Sequence, residues 1–306
     1  MIGLFLNKRG YITGFTLIVS LLLISSVFLS INTGKYYFEQ NHIENAADSI
    51  ALSLATWESR GLNVIAILNY GMERSIRYIR IVLLLWVASI GIALSGNPSL
   101  FFHLSRKAPG IIQKLWTVGV KFSKMAKRVK NAIPFLLLSC FRKLLKYYGI
   151  HGFIYPSLPF SEKKSDVALR LHLKDGEPLS ITQIWQEAKG KARSYKPKNR
   201  FKRFFYKVLT RIFFSSIRFL FNLKGEIIPQ VTEDDFHKKQ MIYFFGYSGS
   251  RKPFLNNIFQ EKYRNYAVSC AKPDGGTSYD ARWKSRRIKP KSDTIKKFGK
   301  GIPYGF

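Results

Sequence analysis

Residues 11–31 read YITGFTLIVSLLLISSVFLSI, a run of 21 residues without a charge that Lys8 and Arg9 precede and Lys35 follows. At about 1.5 Å per residue, a helix of this length reaches about 30 Å, the thickness of a bilayer core. A cleaved secretory signal has a shorter apolar core, of about 7–15 residues, and ends in an A-x-A-like site. The run has neither property, so it predicts a retained transmembrane anchor. A cleaved signal is the second alternative, and a buried helix of a soluble protein is the third.

The basic residues on the short side of this run predict its orientation. Positive residues beside a transmembrane helix stay on the cytoplasmic side. Lys8 and Arg9 therefore place the N-terminus in the cytoplasm and the bulk of the chain outside the membrane.

The composition predicts an acidic partner. The chain has 306 residues, 50 Lys and Arg against 18 Asp and Glu, and a formal net charge of +32. Anionic lipid headgroups, nucleic acid and an acidic protein are the three candidates. With 46% hydrophobic residues, 25 Phe and 16 Tyr, the chain is too apolar for a disordered nucleic-acid-binding tail. The composition therefore favours lipid.

An amphipathic stem follows the anchor. Apolar residues recur there at spacings of four, three, four and three, which is typical of a helix that packs against one partner helix. This helix-packing stripe consists of Ile43, Ala47, Ile50, Leu54 and Trp57. The stem either folds onto its own domain or associates with a second copy of the chain, and it is predicted to continue the anchor helix.

Several short motifs accompany this architecture: Gly34-Lys35-Tyr36-Tyr37, Asn45-Ala46-Ala47-Asp48, Ala51-Leu52, and Arg60-Gly61-Leu62-Asn63 with Asn69. Residues 8–70 thereby resemble the TadE/TadG-like proteins of tight-adherence (Flp-type) pilus assembly. Two later segments, residues 266–271 and 281–290, resemble the closing part of longer members. The resemblance implies a pilin-like protein whose N-terminal helix lies in the inner membrane. It also implies partners among other pilus or secretion-system membrane proteins.

One position departs from that family. Pilin precursors of this group often carry a glutamate five residues after a processing glycine, and here Phe15 stands five residues after Gly10. The resemblance therefore leaves processing after Gly10 open.

A second apolar run, IVLLLWVASIGIALS at residues 81–95, is short for a membrane span. Three interpretations remain: a second crossing, an interfacial helix, or a helix buried in the protein. A second crossing would return the rest of the chain to the cytoplasm.

Basic and apolar residues alternate over residues 111–148 and 200–224, where Pro134 is expected to break or kink the first helix into two. Basic amphipathic helices of this kind suit a headgroup layer. The alternatives are a solvated basic face and, less favoured, a nucleic-acid surface. The predicted lipid headgroup contacts are Lys114, Lys121, Lys124, Lys127, Arg128, Lys143, Arg203, Lys207 and Arg211.

Residues 241–247 and 266–272 are rich in β-forming residues, so the expected fold class is α+β: a long N-terminal membrane helix continuing into an amphipathic stem, a helical basic middle, and a small antiparallel sheet near the C-terminus. The predicted parts are an anchor (1–33), the stem (34–75), a basic helical region (76–225), a strand-rich part (226–290) and a disordered basic tail (291–306).

No local motif for catalysis is present. The five histidines are scattered, Cys140 and Cys270 lack a zinc or redox spacing, and no phosphate loop or dinucleotide fingerprint occurs. Two unpaired thiols are favoured over a disulfide. We therefore expect a protein that is not an enzyme and that has no metal site and no cofactor.

Overall fold

A single helix dominates the computed structural model, which describes residues 8–155, 173–218, 222–233, 240–248 and 265–290. Helix α1 (Lys8–Leu94) has 87 residues and is therefore about 130 Å long. It contains no proline, so every internal amide can donate to the preceding turn. The predicted anchor, the predicted stem and the second apolar run are thus parts of one helix, which crosses the boundaries expected near residues 33 and 75 without a break.

Helix α2 (Ser99–Tyr148) runs back antiparallel to α1. A tight turn joins them, in which Gly96 has a φ of 121°, a conformation that favours glycine. Hydrogen bonds fix both ends of the hairpin: Trp86 Nε1 donates to Ser105 Oγ over 3.0 Å near the turn. At the other end, His42 Nε2 lies 3.3 Å from the carbonyl oxygen of Tyr148.

The expectation that Pro134 divides this segment into two helices is wrong, because α2 continues through it. Ile133 and Leu137, on either side of the proline, are buried against α1. Their packing offsets the backbone hydrogen bond that a proline lacks.

Two short helices and six strands complete the part of the chain that the structure describes: α3 (Ile181–Ser194), α4 (Arg200–Ile217), β1 (His151–Tyr155), β2 (Leu173–Asp175), β3 (Gln230–Thr232), β4 (Ile242–Tyr247), β5 (Tyr266–Asp274) and β6 (Lys284–Ile288). The main sheet has the order β1-β4-β5-β6 with every pair antiparallel, and β2 pairs with β3. The predicted α+β fold with a small antiparallel sheet near the C-terminus is confirmed. One edge strand, β1, comes from the middle of the chain, because Gly149 ends α2 with a left-handed φ of 64°.

The described residues form two large apolar cores along α1. The proximal core lies nearer the N-terminus, where residues 43–65 of α1 meet the last turns of α2 and the sheet. The distal core lies at the hairpin end, where residues 68–90 of α1 meet the first part of α2 and helices α3 and α4. The expected disordered tail, 291–306, lies outside the described residues.

Candidate functional site

The first part of α1 exposes its apolar side chains. Within the described chain, α1 is the one helix long and apolar enough to cross a membrane, and none of its most apolar stretch is buried in the protein. The exposed side chains in this part include Ile12, Phe15, Leu17, Ile18, Leu21, Leu22, Leu23, Ile24, Val27, Leu29 and Ile31. A continuous apolar surface of this size, on a helix of this length, can cross a bilayer.

The helix-packing stripe lies further along the same helix. Ile43, Ala47, Ile50 and Leu54 are each at most 1% exposed and belong to the proximal core. Trp57 differs, since it is 45% exposed and carries the guanidinium of Arg60 over its ring, 5.1 Å from the centroid. Four of the five side chains are therefore buried within the chain, and Trp57 is the member of the stripe that stays accessible.

A row of polar side chains on α1 holds the C-terminal strands. Asp48 accepts a hydrogen bond from Ser269 Oγ over 2.7 Å and pairs with Arg287 Nη1 over 2.7 Å. Asn63 bonds both backbone groups of Trp283: its Nδ2 donates to the carbonyl over 3.0 Å, and its Oδ1 accepts from the amide over 2.9 Å.

Asn69 ends this row and is fully buried. Its Nδ2 donates to the carbonyls of Gln230 and Ser278, each over 2.6 Å, and its Oδ1 accepts from the amide of Gln230 over 3.1 Å. Gln40 and Thr56 extend the row with bonds to the Tyr266 carbonyl and to Ser285 Oγ. We refer to Gln40, Asp48, Thr56, Asn63 and Asn69 as the docking row.

The docking row contains residues that the motifs had singled out, but their partners could not be read from the sequence. Asp48, Asn63 and Asn69 belong to the first resembling segment, residues 8–70. Ser269, Trp283 and Arg287 belong to the later ones. The structure thus brings residues 48–69 of α1 together with segments near the C-terminal end of the described chain.

A buried acid, Glu58, also lies on this side of α1 and was not predicted as a site. It is completely buried, and Gln240 Nε2 donates a hydrogen bond to its Oε1. Its Oε2 has no hydrogen-bond partner among the residues that the structure describes. Desolvation raises the pKa of Glu58 well above its ordinary value, so the neutral acid is the favoured form in the core.

The nine predicted headgroup residues are all exposed, but they do not form one site. Six lie along α2, from Lys114 in the distal part to Lys143 beside the proximal core, and Arg203, Lys207 and Arg211 lie on α4. Lys127 is 4.0 Å and Lys130 3.5 Å from the carboxylate of Asp175. A hydrogen bond from Gln230, together with these two cations, lowers the pKa of Asp175.

The second apolar run forms the last turns of α1. Leu83, Trp86, Val87 and Ile90 are buried in the distal core, while Ile81, Leu85 and Ile92 are exposed. One face of this run therefore packs on protein.

No metal-binding chemistry emerges from the described ranges, where no group of three or more His, Cys, Asp or Glu side chains is placed to hold an ion. Cys140 and Cys270 are not joined by a disulfide. What the geometry offers instead is an exposed apolar helix, a stem to which the C-terminal strands dock, and a widely distributed basic surface.

Comparison with known proteins adds no family to this description. The chain matches no protein-family model, no curated protein and no solved structure.

Proposed function

We propose that this chain is a pilin-like structural component of a bacterial cell-envelope pilus or secretion system, anchored in the inner membrane by α1. The observation that carries the proposal is the division of α1 into an exposed apolar start and a packed stem. The role is one of assembly, without catalysis. The anchor holds the protein in the bilayer, and the stem presents the remainder to partners.

The docking row supports the pilin-like part of the proposal. Asp48, Asn63 and Asn69 fasten segments more than 160 residues away to the stem. The residues that resemble the TadE/TadG-like family therefore act together as one structural unit. Partners in this proposal are other membrane proteins of the same pilus or secretion system, and Trp57 is an accessible point on the stem for self-association.

The N-terminus is proposed to lie in the cytoplasm and the bulk of the chain outside the inner membrane, because Lys8 and Arg9 precede the anchor. The buried face of the second apolar run supports a single crossing. Leu83, Trp86 and Ile90 pack in the distal core, and a membrane span at this position would separate them from α3 and α4.

Labelling of one engineered cysteine in the full-length protein tests the topology. Tyr147 is 81% exposed beside the proximal core and suits this purpose, and Cys140→Ser removes a partly exposed background thiol. In spheroplasts, a membrane-impermeant maleimide is expected to label Tyr147→Cys as fully before lysis as after it. The matched control is a cysteine placed before Lys8, which is expected to react only after lysis.

Two results would overturn the proposal. Labelling of Tyr147→Cys only after lysis would put the bulk of the chain in the cytoplasm. Release of the protein from membranes by alkaline carbonate would remove the anchor itself, whatever the labelling pattern.

A further inference from the structure

The outer face of α4 carries two parallel rows of exposed side chains. One row is apolar and consists of Phe201, Phe204, Phe205 and Val208, which are 71%, 64%, 47% and 40% exposed. The other is basic, with spacings of three, four and four, and consists of Arg200, Arg203, Lys207 and Arg211. Residues three and four apart share one face of a helix, so the two rows run side by side. We call these eight residues the α4 outer face.

The opposite side of α4 fixes this helix to the protein. Leu209, Phe213 and Ile217 are buried in the distal core, and the ring of Phe213 lies edge-on to that of Trp86, 4.9 Å between centroids. Asn199 caps the helix by accepting a hydrogen bond from the amide of Phe201 over 3.0 Å. The α4 outer face is therefore fixed in position. Its phenylalanines lie on the exposed side of the helix and not on the buried side, where other apolar residues pack.

The position of α4 along α1 separates it from the predicted anchor. Trp86, the residue of α1 that Phe213 of α4 contacts, lies 55 residues after Ile31, which is about 80 Å along α1. The field of a charged surface is screened over about 8 Å at physiological ionic strength. If residues 11–31 cross a bilayer and the stem leads away from it, Arg203, Lys207 and Arg211 are therefore too far from the headgroups of that bilayer to bind them.

We propose that the α4 outer face binds the surface of a second, anionic bilayer, so that the protein tethers two membranes. The phenylalanines insert at the boundary between headgroups and acyl chains, and the basic row binds the lipid phosphates. Helices with this pairing of apolar and cationic faces lie in the membrane interface. The inference rests on the proposed anchor, because a tether needs a first attachment.

The chemistry of the face favours lipid over the other acidic partners. A second copy of the chain, docked face to face, would bring two rows of cations together. Single-stranded nucleic acid also stacks on aromatic side chains, but α4 carries no Asn or Gln to bind base edges, and Val208 offers no ring for stacking. An apolar row containing an aliphatic residue suits acyl chains.

Vesicle capture by the full-length protein tests the tether. The protein is reconstituted through its anchor into immobilised phosphatidylcholine nanodiscs. Fluorescent vesicles containing about 30% phosphatidylglycerol, or phosphatidylcholine alone, are then added. We expect capture of the anionic vesicles only, weakening at least about tenfold when the salt concentration is raised to about 1 M, because the cations are then screened.

Paired variants connect the capture to α4. Phe204→Ser with Phe205→Ser, and separately Arg203→Gln with Lys207→Gln, are expected to weaken capture about tenfold or more. All four side chains are exposed, so these changes leave the cores intact. The matched controls change exposed residues of α2 beside the proximal core: Phe135→Ser with Leu136→Ser, and Arg142→Gln with Lys146→Gln.

The outcomes are separable. Unchanged capture in both α4 variants, or equal losses in the α2 controls, would overturn the inference. So would binding of a single-stranded oligonucleotide that the α4 variants abolish while the wild-type protein captures no vesicles. Resistance of the protein to carbonate extraction is measured in parallel: an extractable protein refutes the anchor, whereas a resistant protein that captures nothing refutes only the tether.

Discussion

The first and second parts of α1 are the same secondary structure with opposite surfaces. Over residues 12–38 the large apolar side chains are mostly exposed, whereas beyond Glu39 one apolar face of the helix is buried, together with several polar side chains, Glu58 and Asn69 among them. A helix satisfies its own backbone hydrogen bonds in either case. The side chains therefore decide the surroundings: the first part suits hydrocarbon, and the second requires strands and helices from the rest of the chain.

The packed part should lose most stability when its largest buried side chain is truncated. Trp86 is fully buried in the distal core, and Trp86→Ala is expected to cost about 3–5 kcal/mol of unfolding free energy, because a large cavity remains. Leu85, the exposed neighbour, is the control, and Leu85→Ala should change stability by less than about 0.5 kcal/mol. Denaturant unfolding in detergent measures both. Equal effects would refute the assignment of the two helix faces.

A charge introduced into the exposed part of α1 should reduce membrane insertion and leave the stability of the fold unchanged. Leu22 is at the middle of the apolar run, and Leu22→Arg is expected to disfavour membrane insertion by about 2.5–3.5 kcal/mol. Carbonate extraction of membranes measures the loss, with Leu22→Phe as the control. The unfolding midpoint of the variant should equal that of the wild type, and a lower midpoint would mean that residue 22 packs on protein.

Removing Asn69 from the docking row should loosen β3 and the segment around Ser278, which it holds against α1. Asn69→Ala leaves the carbonyls of Gln230 and Ser278 without a donor, and we expect a loss of about 1–3 kcal/mol. Asn45, exposed on the same helix, provides the control Asn45→Ala. Amide hydrogen exchange over β3 and residues 275–280 should quicken in the first variant alone. Unchanged exchange there would show that Asn69 does not hold these segments.

The smallest effect is expected at Glu58 and depends on pH. Burial raises its folded-state pKa above the unfolded value of about 4.3, so the folded state keeps a proton that the unfolded state loses as the pH rises. The stability that Glu58 contributes is therefore full below about pH 4 and declines above it, up to the folded-state pKa.

Glu58→Gln removes this titration and can still accept the hydrogen bond from Gln240. The variant should differ from the wild type by less than about 1 kcal/mol near pH 4 and gain relative stability as the pH rises. Unfolding curves at several pH values test this. A constant difference across the range would mean that Glu58 is ionised in the folded protein.

Local patterns in the sequence were sufficient for the long apolar helix at the start of α1 and for the strands β4 and β5, because each depends on residues close together in the chain. The prediction of two helices at Pro134 was wrong because the packing of Ile133 and Leu137 against α1 outweighs the tendency of proline to end a helix. The partners of Asp48, Asn63 and Asn69 lie 160 residues or more away, and no periodicity encodes them. The burial of Glu58 could not be predicted for the same reason, since it depends on Gln240 and the sheet.

The docking row also sets a time order for synthesis. Asp48 leaves the ribosome 221 residues before its partner Ser269, a delay of roughly 10–45 s at about 5–20 residues per second. Throughout that interval the polar row and the neighbouring apolar stripe have no sheet to cover them. The exposed stem of a nascent or truncated chain therefore distinguishes it from the finished protein, and the stem is covered only when β5 and β6, the last strands of the described chain, have been made.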